Sequence, residues 1–148
     1  VPPILIVVGG SGGAPPVTSN APLIEVYTMG AGVAVRDFVF PSTAVAGQVE
    51  RARSNTKANG RPLGCVQAIN TPALGQCEVV LSGPVTGFAG LVLGATYLLG
   101  TAVGTIVSET DTGNANYPSA AGSVVTPVGQ ASAATTLEVQ VGDQPLEL

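Results

Sequence analysis

With no histidine in its 148 residues, the chain can do side-chain chemistry chiefly through two cysteines, nine Asp and Glu residues and five Lys and Arg residues. Without histidine there is no Ser-His-Asp relay and no imidazole metal ligand. A serine–lysine pair needs a lysine. Lys57 alone is present, in the polar stretch 55–60, where a lysine is ordinarily solvated. A pair of carboxylates could act as acid and base on a glycoside. The candidates are Glu25, Asp37, Glu50, Glu78, Glu109, Asp111, Glu138, Asp143 and Glu147. Such sites usually grip the sugar with aromatic rings, and this chain has three Tyr, three Phe and no Trp. Glu109, Asp111 and Asn114 gather oxygen donors of the kind calcium takes, at a spacing unlike the EF-hand loop. Gly9, Gly10, Gly12 and Gly13 follow an apolar run as a phosphate-binding turn does. The G-x-G-x-x-G spacing is missing, however, and prolines follow where a helix should begin. Cys65 and Cys77 fit two readings, buried small hydrophobes or a cross-strand bridge. Two cysteines alone are not a metal site. These residues assign no catalytic role, no cofactor and no metal, and the expectation is a protein that is not an enzyme.

The elements that would position these side chains follow from composition. Only 9% of residues are charged and the net charge is -4. Nucleic-acid binding needs clustered Lys and Arg to neutralise phosphates, and the basic residues beyond Arg36 are just Arg51, Arg53, Lys57 and Arg61. No nucleic acid is expected as a partner. The uncharged run from 90 to 108 in GLVLGATYLLGTAVGTIVSE is nearly long enough to span a bilayer. It lacks flanking Lys or Arg. Its glycines split it into a short apolar run 95–99, a turn 100–104 and a β-branched run 105–108. Two short strands joined tightly fit better than a membrane helix, so no membrane is expected either.

Residues 1–20 read as an extended N-terminal arm. It carries one apolar run, Ile4, Leu5, Ile6, Val7 and Val8, and then a Gly- and Pro-rich segment. With no basic region before it, the run makes a poor signal peptide. It suits a strand added to an edge, of its own domain or of a neighbour, or the first strand of the domain itself. These five residues are the candidate interface. Residues 21–148 form the domain. Strands are expected at 23–28, 33–40, 62–69, 76–81, 124–128 and 136–141, with 129–135 joining the last two. Residues 46–54 fit a strand or a short helix. Turns fall at 55–60 and 70–75, and 110–122 is a long polar surface loop. No apolar face repeats at the helical period. The fold class is therefore all-β, a small β-barrel or β-sandwich with an extended N-terminal arm. A faint echo relates Pro62-Leu-Gly-Cys-Val-Gln-Ala68 to Pro127-Val-Gly-Gln-Ala131, each followed by a Glu-containing strand. Two similar halves would give it; so would chance in a chain rich in Gly, Val and Ala.

The run Leu81-Ser-Gly-Pro-Val-Thr-Gly-Phe-Ala-Gly-Leu-Val-Leu-Gly-Ala-Thr-Tyr-Leu-Leu-Gly-Thr-Ala-Val-Gly-Thr-Ile resembles a segment of tailed-bacteriophage virion proteins. There a Gly-x-Val strand leads into a Gly-Leu-x-x-Gly-x-x-Tyr-x-Leu hairpin and a short Gly turn. A later strand carries Val-Gly-x-Ala, here Val128-Gly129-Gln130-Ala131. The likeness covers about residues 46–141. It implies a structural virion protein, most like a decoration (cement) protein on the outer surface of the capsid. It further implies the major capsid protein as partner, a homotrimer as assembled unit and no catalytic residues. The alternatives are a subunit of an extracellular or viral filament or tube, and a fibre-type receptor-binding module.

Overall fold

The computed structural model describes residues 21–141, together with the backbone of 146–147. Among them there are strands and turns and no helix, hence no helix long and apolar enough to cross a membrane. In chain order the strands are β1 (Leu23–Met29), β2 (Phe38–Pro41), β3 (Gln48–Arg51), β4 (Gly64–Ile69), β5 (Gln76–Thr86), β6 (Thr96–Leu99), β7 (Ile106–Ser108), β8 (Val124–Val125), β9 (Pro127–Ala133), β10 (Thr136–Gln140) and β11 (Leu146–Glu147). The order β1-β3-β2-β4-β5, with β5 returning to β1, closes a barrel. All its pairings are antiparallel except β1 with β3. The order continues β5-β10-β9-β6-β7 as an antiparallel wall beside the barrel. β8 pairs separately with β11.

β5 belongs to both layers. Its residues up to Ser82 pair with β1, and Ser82 to Thr86 pair with β10. The crossing falls at Gly83, whose φ of 124° only glycine adopts readily. A Cβ there would lie 2.7 Å from the Cα of Pro22. Strand alternation then sends neighbouring residues of β5 into two cores. Cys77 and Val79 join Val33, Val39, Val49 and Val66 in one buried cluster, the barrel interior. Val80 and Val85 join Phe38, Cys65, Leu99, Val128, Leu137 and Val139 between barrel and wall. Small β-branched side chains suit so narrow a barrel, and each one fully buried contributes roughly 1.5–3 kcal/mol.

The expected all-β class is the class observed, as a barrel with extra strands. The stretch 90–109 is strand, turn and strand, as its glycines suggested. Its turn is closed by Gly100 N–H donating to the Thr105 carbonyl at 2.9 Å and Thr105 Oγ1 donating to the Ala102 carbonyl at 2.6 Å. Within residues 46–54 the chain takes the strand alternative, as β3 at Gln48–Arg51. Four boundaries need correction. The strand expected at 124–128 is split at Thr126 between β8 and the start of β9. The expected strand 33–40 is extended only from Phe38, because Asp37 turns the chain: its Oδ2 accepts from Ala34 N–H at 2.9 Å, and Arg36 sits at φ 73°. The strand expected at 76–81 runs on to Thr86. Residues 129–135, expected as a joint, are mostly strand β9, because Gly129 leaves room for the backbone of β10 at Glu138. Both echo segments lie in antiparallel hairpins, β4–β5 and β9–β10. The interface residues Ile4, Leu5, Ile6, Val7 and Val8 lie outside the described residues.

Candidate functional site

The phrase Gly90-Leu91-Val92-Leu93-Gly94-Ala95-Thr96-Tyr97-Leu98-Leu99 builds one structural device. Leu91, Tyr97 and Leu99 turn inward and are buried in the core between barrel and wall. Gly94 sits at φ 83°, the third place of a turn that Ala95 N–H closes by donating to the Val92 carbonyl at 3.0 Å. A turn with positive φ at that place favours glycine. The Tyr97 hydroxyl reaches back and accepts from Val92 N–H at 2.9 Å. The loop is also strapped across the β9–β10 hairpin. Phe88 N–H donates to Thr135, Leu91 N–H to Ala134 and Gly94 N–H to Ala131, at 3.1, 3.0 and 2.8 Å. Gln130 Nε2 donates to the Gly94 carbonyl at 2.8 Å. Two side chains are left over at the tip. Val92 is 63% exposed and Leu93 is 73% exposed. An apolar pair on a loose loop would pay ordering entropy on contact with a partner; a pair on a pinned turn has largely met that cost.

Beside this turn lies a cleft of about 450 Å³, lined by Phe88, Leu91, Val92, Tyr97, Ile106 and Ser108, with Asp111 and Asn114 at its polar side. One flank is β7, the end strand of the wall, which pairs with β6 and has no second strand partner among the described residues. The other flank is the start of the 110–122 loop. That loop is held by its own side chains: Asn114 Nδ2 donates to Asp111 Oδ2 at 3.1 Å, and Asn116 N–H donates to Asn114 Oδ1 at 2.9 Å. Tyr117 Oη donates to the Glu109 carbonyl at 3.2 Å. Asn114 thus spends its amide inside the loop instead of turning it outward as a ligand.

The other chemistry-bearing residues are dispersed. Lys57 is exposed in the turn after β3. Glu25 accepts from the Tyr27 hydroxyl. That bond, with burial and the nearby negative charge, pushes Tyr27 up to a pKa of about 12. Glu78 pairs with Gln67 at 2.9 Å, and Glu138 with Ser132 at 2.9 Å. Buried Asp37 lies 2.8 Å from Arg51 Nε as an ion pair. Above it sits Gly104, where a Cβ would come within 3.0 Å of both Asp37 Oδ1 and Arg51 Nη2. That ion pair therefore seats the β6–β7 turn on the barrel. Cys65 and Cys77 are both free and buried, and they face different cores from adjacent strands. The cross-strand bridge is thereby corrected: β4 pairs Cys65 with Val80, and Ile69 with Cys77. Burial pushes both thiols up, which disfavours the nucleophilic thiolate. Among the described residues no three His, Cys, Asp or Glu side chains gather to hold a metal ion.

Comparison with protein-family models, curated proteins and solved structures returns no match. Sequence alone points to residues 4–8 as the interface and leaves Val92 and Leu93 unmarked. The signal is three aliphatics between glycines, with a tyrosine three residues after the second glycine.

Proposed function

We propose that this chain is a structural protein of a bacteriophage virion, binding and stabilising the outer surface of the capsid. Its partner in this reading is the major capsid protein, and its assembled unit is a trimer. The observation that supports the reading best is the pinned turn presenting Val92 and Leu93 beside a cleft of mixed apolar and polar lining. Covering such a pair on a flat partner would contribute a few kcal/mol, and many identical copies would multiply the effect across a shell. The resemblance of residues 46–141 to virion proteins points the same way, as does a surface with little charge to desolvate.

The test is cosedimentation of the full chain with shells assembled from the major capsid protein encoded alongside it. Retention should fall at least about tenfold for the double variant Val92→Asp, Leu93→Asp. Its melting temperature should stay that of the parent, since both side chains already face solvent. Full retention of the variant, or no retention of the parent, would sink the proposal. Light scattering on the free chain adds a second reading. A trimer supports the shell role, whereas a ladder of long species rising with concentration would point to a filament subunit.

A further inference from the structure

The barrel closes on a short seam. β1 and β3 pair only at Thr28 with Gln48 and Met29 with Val49. Ahead of β3 the chain turns away, with Ser42 Oγ accepting from the N–H groups of Ala44 and Val45, both at 3.1 Å. Residues 23–27 of β1 are therefore paired with β5 on one side and, among the described residues, face no strand on the other. An antiparallel strand directs alternate N–H and C=O groups to each side, so this side is a template for one more strand. Its flanks are apolar: Leu23 is 59% exposed and Val26 is 46% exposed.

What fits that edge is constrained by charge and length. A second copy's β1 is a poor mate, because two-fold pairing centred on Glu25 would set carboxylate opposite carboxylate. The chain's own Ile4, Leu5, Ile6, Val7 and Val8 are uncharged, rich in β-branched residues and as long as the open edge. The segment before Ala21 ends where that edge begins. Residues 9–22 join the two, and a linker of about 14 Gly- and Pro-containing residues spans roughly 20 Å. That gives the run an effective concentration in the millimolar range at its own β1.

We propose that Ile4, Leu5, Ile6, Val7 and Val8 add as a strand to the open edge of β1, on the same chain in dilute solution and on a neighbouring copy where copies are packed above that concentration. This stands apart from the shell reading, which concerns Val92 and Leu93. The experiment is amide hydrogen exchange on the full chain and on its Ile6→Pro variant at micromolar concentration, with masses measured on the same samples. Proline removes a ladder N–H and cannot sit in a paired strand. In the variant, the outward amides among residues 23–27 should exchange at least about tenfold faster, while amides of β4 and β5 keep their rates and the mass remains that of the parent. Equal rates at 23–27 in both proteins would overturn the docking. Protection at 23–27 in the parent that weakens on dilution through the micromolar range would overturn closure on its own chain.

Discussion

The two longest connections of the wall solve opposite problems. The 87–95 loop is apolar and takes its order from outside itself, through Tyr97 and the strap to β9–β10. The 110–122 loop is polar and takes most of its order from within, through Asp111, Asn114, Asn116 and Tyr117, with one strap from outside where Thr101 N–H donates to the Asn116 carbonyl at 2.9 Å. An apolar tip has no side-chain donors with which to cap its own turn. It can be rigid only if the body of the fold grips its backbone. A polar tip supplies most of its own caps and needs less of such a grip. Rigidity with exposed aliphatics is therefore a costly combination, and the loop commits a buried tyrosine and three positive-φ glycines, Gly87, Gly90 and Gly94, to it.

That contrast can be tested position by position. Gly94→Val should have the largest effect, about 1–2 kcal/mol of stability measured by chemical unfolding. The cost comes from backbone strain, since a Cβ there meets nothing within 4 Å. Tyr97→Phe keeps the ring and removes the acceptor of Val92 N–H. It should cost about 1 kcal/mol, and exchange of that amide should quicken while the 110–122 loop is unaffected. Asn114→Ala should do the reverse, loosening 110–122 in exchange measurements at about 0.5 kcal/mol and leaving Val92 untouched. Leu93→Ser should leave stability within about 0.5 kcal/mol, since the side chain is mostly in water. If Tyr97→Phe loosens both loops equally, the two are one unit and the distinction fails.

Much of the fold was legible in the sequence because its turns are glycine turns. The strand–turn–strand of 90–109 could be read from Gly100 and Gly104, and the two strands of 62–81 from the turn at 70–75 between them. The turn at Asp37 was not legible, since residues 33–40 are rich enough in Val and Phe for a strand and the capping carboxylate is a single residue within them. The closure of the barrel was also hidden. It depends on β1 finding β5 and β3, contacts that join distant parts of the sequence and leave no local mark. The exposed pair at 92–93 escaped for a different reason: Val and Leu there are the same residue types that fill the core. Only the register of the turn, fixed by Gly94 and Tyr97, decides that they face outward.

β5 was described above as a stave of the barrel and the first strand of the wall. One continuous strand with Cys77 and Val79 in one core and Val80 and Val85 in the other leaves no seam along which the two could part. Neither core can lose its packing while β5 stays ordered for the other. The molecule thus has two interiors but one melting event, and a weakness introduced in either is felt by both.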